Sequence, residues 1–122
     1  MIELRKIMDT VFEQAIAPFF WVAHEKRFSA CLSNLDYQSH IFATRADEGF
    51  EGSGYDWGSL ALAFLEIQLP ELKNIVKFDP EGSMFVAYST DENALKKFIT
   101  EFKKSCENSE VILKIFAHAE LD

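Results

Sequence analysis

The sequence predicts a small single α+β domain, with helices packed on one face of a mostly antiparallel sheet. Two pairs of short strand-like runs, each pair separated by a polar turn, predict two hairpins. Segments with apolar residues at spacings of three and four predict amphipathic helices after each hairpin. The chain has 122 residues, of which 48% are hydrophobic, and this length and composition suit one domain with its own core.

The N-terminal segment has a helical pattern of its own. Its apolar residues recur at helical spacing and predict a helix over residues 3–16, which Pro18 prevents from continuing. We therefore separate a helical N-terminal extension, residues 1–17, from the main domain, residues 18–122. A flexible leader is the alternative for the same segment.

The first hairpin is predicted from two runs rich in aromatic and β-branched residues. The runs cover residues 19–23 and 28–33, and the polar residues between them form the turn. A short helix around residues 41–46, ended by Gly49, follows. A third strand over residues 39–44 is the alternative.

A longer helix follows the glycine-rich stretch. Asp56 is in a position to cap it, and Pro70 predicts its end near Gln68. A further turn is expected over residues 71–74.

A second hairpin and two helices complete the chain. Strands are predicted over residues 75–78 and 84–88, joined by a turn that contains proline and glycine. The spacing from Ser89 to Glu92 is that of a capping box for a helix over residues 90–106. A last helix begins at Asn108 or Ser109.

Charge is distributed unevenly along the chain. The net charge is −8, and residues 1–46 carry five acidic and five basic residues, so the whole excess lies in residues 47–122. An acidic field repels phosphate, which argues against a nucleic-acid partner, and it attracts a basic protein. The alternative is that the acidity only aids solubility.

The sequence gives no sign of a membrane segment or a metal site. No apolar run approaches the length of a membrane span, and the first residues lack the apolar centre of a secretory signal. We therefore expect a cytoplasmic protein without a membrane partner. Cys31 and Cys106 are far apart, the histidines are scattered, and two buried free thiols are the favoured interpretation.

Residues 49–58, called here the glycine loop, hold four of the five glycines together with Phe50, Tyr55 and Trp57. Glycines permit tight reversals of the backbone, and the aromatic rings can hold such a loop in place. One interpretation is a structural loop docked on the core. The other is a partner-binding surface, since aromatic residues on rigid loops are favoured interface anchors.

The same loop lacks the motifs of known chemistries. Its glycine spacing differs from the dinucleotide, P-loop and nucleophile-elbow patterns, and an EF-hand would require glutamate where Gly58 stands. Acid pairs such as Glu51 with Asp56, or Asp79 with Glu81, are unspecific among twenty acidic residues. We assign no catalytic residue, cofactor or metal, and we do not expect an enzyme.

Several motifs together resemble the bacterial immunity protein 51 family. They are residues 50–57, Leu60-Ala61, Phe64-Leu65, residues 78–81, Met84-Phe85, Tyr88-Ser89 and the tail at residues 119–122. The resemblance covers residues 18–122 and leaves residues 1–17 unmatched. It implies a cytoplasmic antidote of a polymorphic toxin system, which binds and neutralises a cognate toxin domain.

These considerations define a candidate partner-binding site. Tyr55 and Trp57 would anchor the toxin, and four acids would supply negative potential, namely Glu48, Glu51, Asp56 and Glu81. In the competing interpretation Trp57 is buried against the helix and Asp56 serves only as a cap.

Two other functional classes stay open at this stage. A small regulatory or scaffold module, compatible with a homodimer, would recognise a protein of its own cell. A hydrolase with paired carboxylates would need two acids within about 10 Å in a cleft beside the glycine loop. An antidote gene is expected to lie directly downstream of a gene for a large secreted toxin.

Overall fold

The computed structural model describes residues 2–121. Met1, in the predicted extension 1–17, and Asp122, in the predicted domain 18–122, lie outside the described residues. Within this range the chain forms one compact α+β domain. Two short 3₁₀ turns, Ala46–Glu48 and Pro70–Leu72, lie between its main elements. These elements are α1 (Ile2–Ile16), β1 (Phe20–Ala23), β2 (Phe28–Leu32), α2 (His40–Ala43), α3 (Gly54–Gln68), β3 (Lys77–Phe78), β4 (Phe85–Ser89), α4 (Glu92–Cys106) and α5 (Ser109–Phe116).

The strands form one antiparallel sheet in the order β1-β2-β4-β3. Register places Ala30 between Trp21 and Ala87, and Leu32 opposite Phe85. Because side chains alternate along a strand, these residues share one face. Helices α3 and α4 pack on it, whereas α1 contacts β1 and α4. The predicted α+β class, with helices on one face of an antiparallel sheet, is confirmed.

An aromatic cluster fills the space between the sheet and the helices. Trp57 is at its centre, with the ring of Phe42 at 5.2 Å, that of Phe102 at 6.0 Å and that of Phe85 at 6.5 Å. Tyr37 stacks on the same indole with an interplanar angle of 12°. Burial of such large rings supplies much of the hydrophobic stabilisation of a domain of this size.

Helices are present on both sides of the first hairpin, but α2 ends at Ala43, short of the predicted residue 46. Helix α1 covers the segment predicted at residues 3–16. Residues 39–44 contain α2 rather than the alternative strand. The 3₁₀ turn that follows ends at Gly49, whose φ of 109° is the left-handed conformation that favours glycine.

The strand predicted over residues 75–78 is only half as long as expected. Only Lys77 and Phe78 pair with β4. The amides of Ile75 and Val76 both donate to the carbonyl of Leu72, at 2.9 Å each. Since these donors close the preceding turn, they are not available to the sheet.

The capping box predicted from Ser89 to Glu92 is wrong. The residue that caps α4 is Asp91, whose Oδ1 accepts the amide of Ala94 at 3.0 Å. Ser89 instead ends β4, where its hydroxyl donates to the carbonyl of Ile75 at 2.8 Å. Because Ser89 pairs in the sheet, the helix starts two residues later than predicted. Helix α5 begins as predicted, with Asn108 as its cap.

Candidate partner-binding surface

The glycine loop enters α3 through a capping box. The hydroxyl of Ser53 accepts the amide of Asp56 at 3.2 Å, and the Asp56 carboxylate accepts the amide of Ser53 at 3.4 Å. The same Oδ2 atom also accepts the amides of Glu51 at 2.7 Å and Gly52 at 2.8 Å. The expectation that Asp56 is the N-cap is therefore wrong, because Ser53 is the cap. Asp56 instead holds the loop from inside the first helical turn.

Gly54 joins this loop to the turn between β3 and β4. Its amide donates to the carbonyl of Gly82 at 3.0 Å. A Cβ atom at position 54 would overlap with the carbonyl oxygen of Glu81 and lie 2.5 Å from that of Met84. The start of α3 therefore rests directly on the backbone of the turn, an approach that only glycine permits.

This contact places the two chain segments that carry three predicted site residues next to each other. Tyr55 is 48% exposed, and its ring lies beside Gly82. Glu51 and Glu81 are exposed as well, on the loop and on the turn respectively. We call Glu51, Tyr55 and Glu81 the acidic rim. It combines one aromatic ring with two carboxylates on backbone that hydrogen bonds hold in place.

Trp57 and Asp56 do not reach this surface. Trp57 is fully buried and Asp56 is 6% exposed, so neither side chain is available to a partner that docks on the outside. The competing interpretation, in which Trp57 packs in the core, describes its observed position. Among the described residues, Nε1 of Trp57 is a buried donor without a hydrogen-bond partner.

Glu48 ends the 3₁₀ turn before the loop and is held by Arg45. The guanidinium donates to the Glu48 carboxylate at 2.8 and 2.9 Å. This hydrogen bonding lowers the pKa of Glu48, and the attraction of the two charges acts in the same direction. Half of the Glu48 side chain is exposed, at 50%, so it can contribute charge to the surface while serving a structural ion pair.

Arg45 is the residue of this region that the sequence interpretation overlooked. Its Nη1 donates to the carbonyls of Phe116 at 2.6 Å and Ala119 at 2.8 Å. The guanidinium also lies over the rings of Phe50, at 4.6 Å, and Phe116, at 4.9 Å. Arg45 thereby ties the end of α5 to the beginning of the glycine loop. In the sequence, the only local sign of this role is that Arg45 stands three residues before Glu48.

The acid pair formed by Glu51 and Asp56 is not suited to acid–base chemistry. The Asp56 carboxylate is nearly buried and accepts three backbone amides. Its Oδ2 atom is thus committed to holding the loop. The two cysteines are buried and free, as predicted, and burial raises the pKa of the Cys106 thiol. Between residues 2 and 121, no group of three or more metal-ligating side chains is suitably arranged to hold an ion.

None of the helices in the described part of the chain is both long and apolar enough to cross a bilayer.

The sequence of the chain was compared with known proteins and protein families. Searches of curated proteins and of solved structures found no match. The family model described as "Immunity protein 51" matches residues 19–121. This range includes the glycine loop, the β3–β4 turn and Arg45, and begins after α1. Since the match extends over most of the chain, the protein belongs to the immunity protein 51 family.

Proposed function

We propose that this protein binds a cognate toxin domain through the acidic rim and neutralises it in the bacterial cytoplasm, without catalysing a reaction. The family supports an immunity role in general, which suggests a non-enzymatic protein and implies a toxin partner. The observation that carries the choice of surface is the docking of Gly54 on the β3–β4 turn, which joins Glu51, Tyr55 and Glu81.

Rigidity of the rim favours binding. The backbone of the loop is held by the Asp56 carboxylate, and the backbone of the turn is held by Gly54. A surface that is ordered before binding loses little conformational entropy when a partner docks. The half-exposed ring of Tyr55 supplies apolar area and a hydroxyl, which is the combination common in interface anchors.

Charge favours a basic toxin. The part of the chain that includes the rim, residues 47–122, carries the whole acidic excess of the protein. A negative surface increases the rate of encounter with a positive partner and disfavours acidic competitors. Glu48, three residues before Glu51 in the chain, adds to this potential even though Arg45 partly neutralises it.

Co-expression with the toxin domain encoded by the adjoining gene tests the proposal. We expect Tyr55→Ala and the double charge reversal Glu51→Lys/Glu81→Lys to abolish protection of the cells. Tyr55→Ala and the double charge reversal are each expected to weaken binding of the purified toxin domain by at least about tenfold. Glu110→Lys reverses the charge of an exposed acid on α5; it is the control and should protect as the wild type does.

Thermal unfolding separates loss of binding from loss of structure. The rim side chains are exposed, so these variants should melt close to the wild-type temperature. If folded rim variants bind the toxin domain with wild-type affinity, the interface lies elsewhere. If the wild-type protein neither binds that domain nor protects cells from it, the immunity proposal itself is wrong.

A further inference from the structure

A recess with aromatic walls lies between α1, the first hairpin and the start of α4. Its rings come from three elements, with Phe12 on α1, Trp21 on β1 and Phe28 on β2. Phe12 packs edge-to-face on Trp21 with ring centroids 5.2 Å apart, and Trp21 stacks on Phe28 at 5.8 Å. All three side chains are only partly buried. We call this space, which has a volume of about 320 Å³, the aromatic recess.

The rings of the recess already hold a cation. Nζ of Lys96, on α4, lies 5.1 Å from the ring centroid of Phe12 and 5.9 Å from that of Trp21. Aromatic faces attract cations within about 6 Å of the ring centre. The same ammonium lies 3.3 Å from a carboxylate oxygen of Glu92. The aromatic walls therefore accommodate a positive group, and this one has a carboxylate of its own.

Two further acids line the recess without a cation of their own. Asp9 and Glu13 are one helical turn apart on α1, and both line the recess together with Phe12. In the part of the chain that the structure describes, neither acid forms an ion pair, and Arg5, which also lines the recess, forms none either. The lining carries three acids and two bases in all. Its charge thus favours one more cation.

Aromatic walls beside carboxylates select a guanidinium among the common cations. A guanidinium is planar and weakly hydrated, stacks on aromatic faces and pairs with carboxylates through its fork of donors. Asp9 and Glu13 offer the acceptors, while Trp21 and Phe28 offer the rings. An anion would meet acids in excess of bases, and an apolar ligand would take the carboxylates out of water without a partner. Neither alternative fits this lining.

The openness of the recess suits the end of a side chain. Sites for small molecules enclose most of the surface of the ligand. Here Asp9, Glu13 and Ala23, which belong to the lining, are exposed to solvent, so a ligand in the recess would stay partly outside it. A side chain that projects from the surface of another protein needs only such an open space.

From these observations we propose that the aromatic recess binds an arginine side chain of a partner protein, with the guanidinium against the rings and beside Asp9 and Glu13. Helix α1 supplies both of these acids, and it precedes residues 19–121, which the family model matches. None of the acidic-rim residues lines the recess. The inference is therefore independent of the surface proposed for the toxin.

Titration of the full chain with N-acetyl-arginine methylamide, followed by NMR, tests the proposal. The chain has two tryptophans. Trp21 lines the recess, whereas Trp57 is fully buried in the core, so the indole signal of Trp21 should shift and that of Trp57 should stay. We expect a Kd of about 1–10 mM, because a single side chain makes few contacts. The citrulline analogue, a neutral isostere, should bind at least about tenfold more weakly.

Charge variants test the roles of the lining residues. Asp9→Asn and Glu13→Gln should each weaken binding of the arginine probe about threefold, because each removes one partly screened attraction. Glu3→Gln makes the matching change at an exposed position of α1 outside the lining and should leave binding unchanged. Lys96→Gln should strengthen binding about threefold, since it removes a competing cation. Urea unfolding of each variant checks that the fold is kept.

Four outcomes would contradict the proposal. The first is an indole signal of Trp21 that does not move up to about 50 mM of the arginine probe. The second is binding that occurs only in Lys96→Gln, because the lysine of the chain itself would then fill the recess. Equal binding of the citrulline probe would show that charge is not recognised. Free arginine that binds at least about tenfold more tightly than the capped probe would assign the recess to a small molecule instead of a protein.

Discussion

Arg45 shows how one side chain can connect distant parts of the chain. Its guanidinium reaches two carbonyls near the end of α5, an acid three residues away and two aromatic rings. The planar fork of five donors allows all of these contacts at once. Lysine carries the same charge but has a single nitrogen, so it cannot replace this set of contacts.

We therefore expect Arg45→Lys to destabilise the protein by about 2–3 kcal/mol, because partly buried carbonyls would lose charged donors. Urea unfolding followed by circular dichroism would measure the change. Lys114→Ala, which removes an exposed ion pair with a 3.9 Å separation, is the control and should cost no more than about 0.5 kcal/mol. Equal stability of Arg45→Lys and wild type would show that the contacts of Arg45 add nothing.

The Arg45–Glu48 pair also predicts a dependence on pH. The pKa of Glu48 is lower in the folded protein than its ordinary value of 4.5. Stabilisation from the ionised carboxylate is therefore complete above the unfolded pKa and is lost as the pH falls through the folded pKa. Wild type should be more stable than Glu48→Gln at pH 7, and the difference should shrink as the pH is lowered below about 4.5.

Unfolding measured for both proteins at several pH values would check this prediction. A difference between wild type and Glu48→Gln that stays constant down to pH values of about 2.5 would mean that the charge of Glu48 does not contribute to stability.

At the scale of elements, the contact between α3 and the β3–β4 turn organises the candidate surface. The first residue of α3, Gly54, lies against the backbone of the turn, and its lack of a side chain allows this close approach. A helix start at this position also aims Tyr55 outwards and Trp57 into the core. This one packing contact therefore determines that Tyr55 is exposed and that Trp57 is buried.

Gly54→Ala should destabilise the protein by at least about 3 kcal/mol, since its Cβ would overlap with backbone that cannot move independently. Gly82→Ala is the matched control on the other side of the contact. A Cβ there would lie 3.7 Å from the Tyr55 ring, at ordinary contact distance, and the change should stay within about 0.5 kcal/mol. Thermal or urea unfolding would compare the two, and similar effects from both would contradict the packing argument.

At the scale of the whole molecule, charge separates the chain into two regions. The first 46 residues are balanced and include α1, whereas the remainder carries the acidic excess and the acidic rim. In the proposed function, the acidic region is the part of the chain that binds the toxin.

If the rim attracts a basic toxin, the rate of association should depend on salt. We expect the association rate constant to fall roughly tenfold between about 0.05 M and 0.5 M salt, because ions screen the attraction between the proteins. Stopped-flow or biosensor kinetics with the toxin domain would measure it. The double variant Glu51→Gln/Glu81→Gln should show a weaker dependence, and an equal dependence would argue against the rim as the source.

Much of this fold was predictable from the sequence because the relevant patterns are local. The period of α4, the polar turn of the first hairpin and the asparagine before α5 are each set within a few residues. Pro70 is another local signal: α3 ends at Gln68, before the proline, and a separate 3₁₀ turn begins at Pro70. The class of the fold followed from the order of these elements.

Tertiary packing decided which residues of the glycine loop face solvent. Tyr55 and Trp57 have similar interface propensities and stand two positions apart, yet one is exposed and the other is buried among rings from distant elements. Likewise, Arg45 meets carbonyls 71 and 74 residues further along the chain, and Ser89 is taken by the sheet rather than by α4. Local sequence determines what a segment can form, whereas the exposure and partners of a side chain depend on segments that only folding brings beside it.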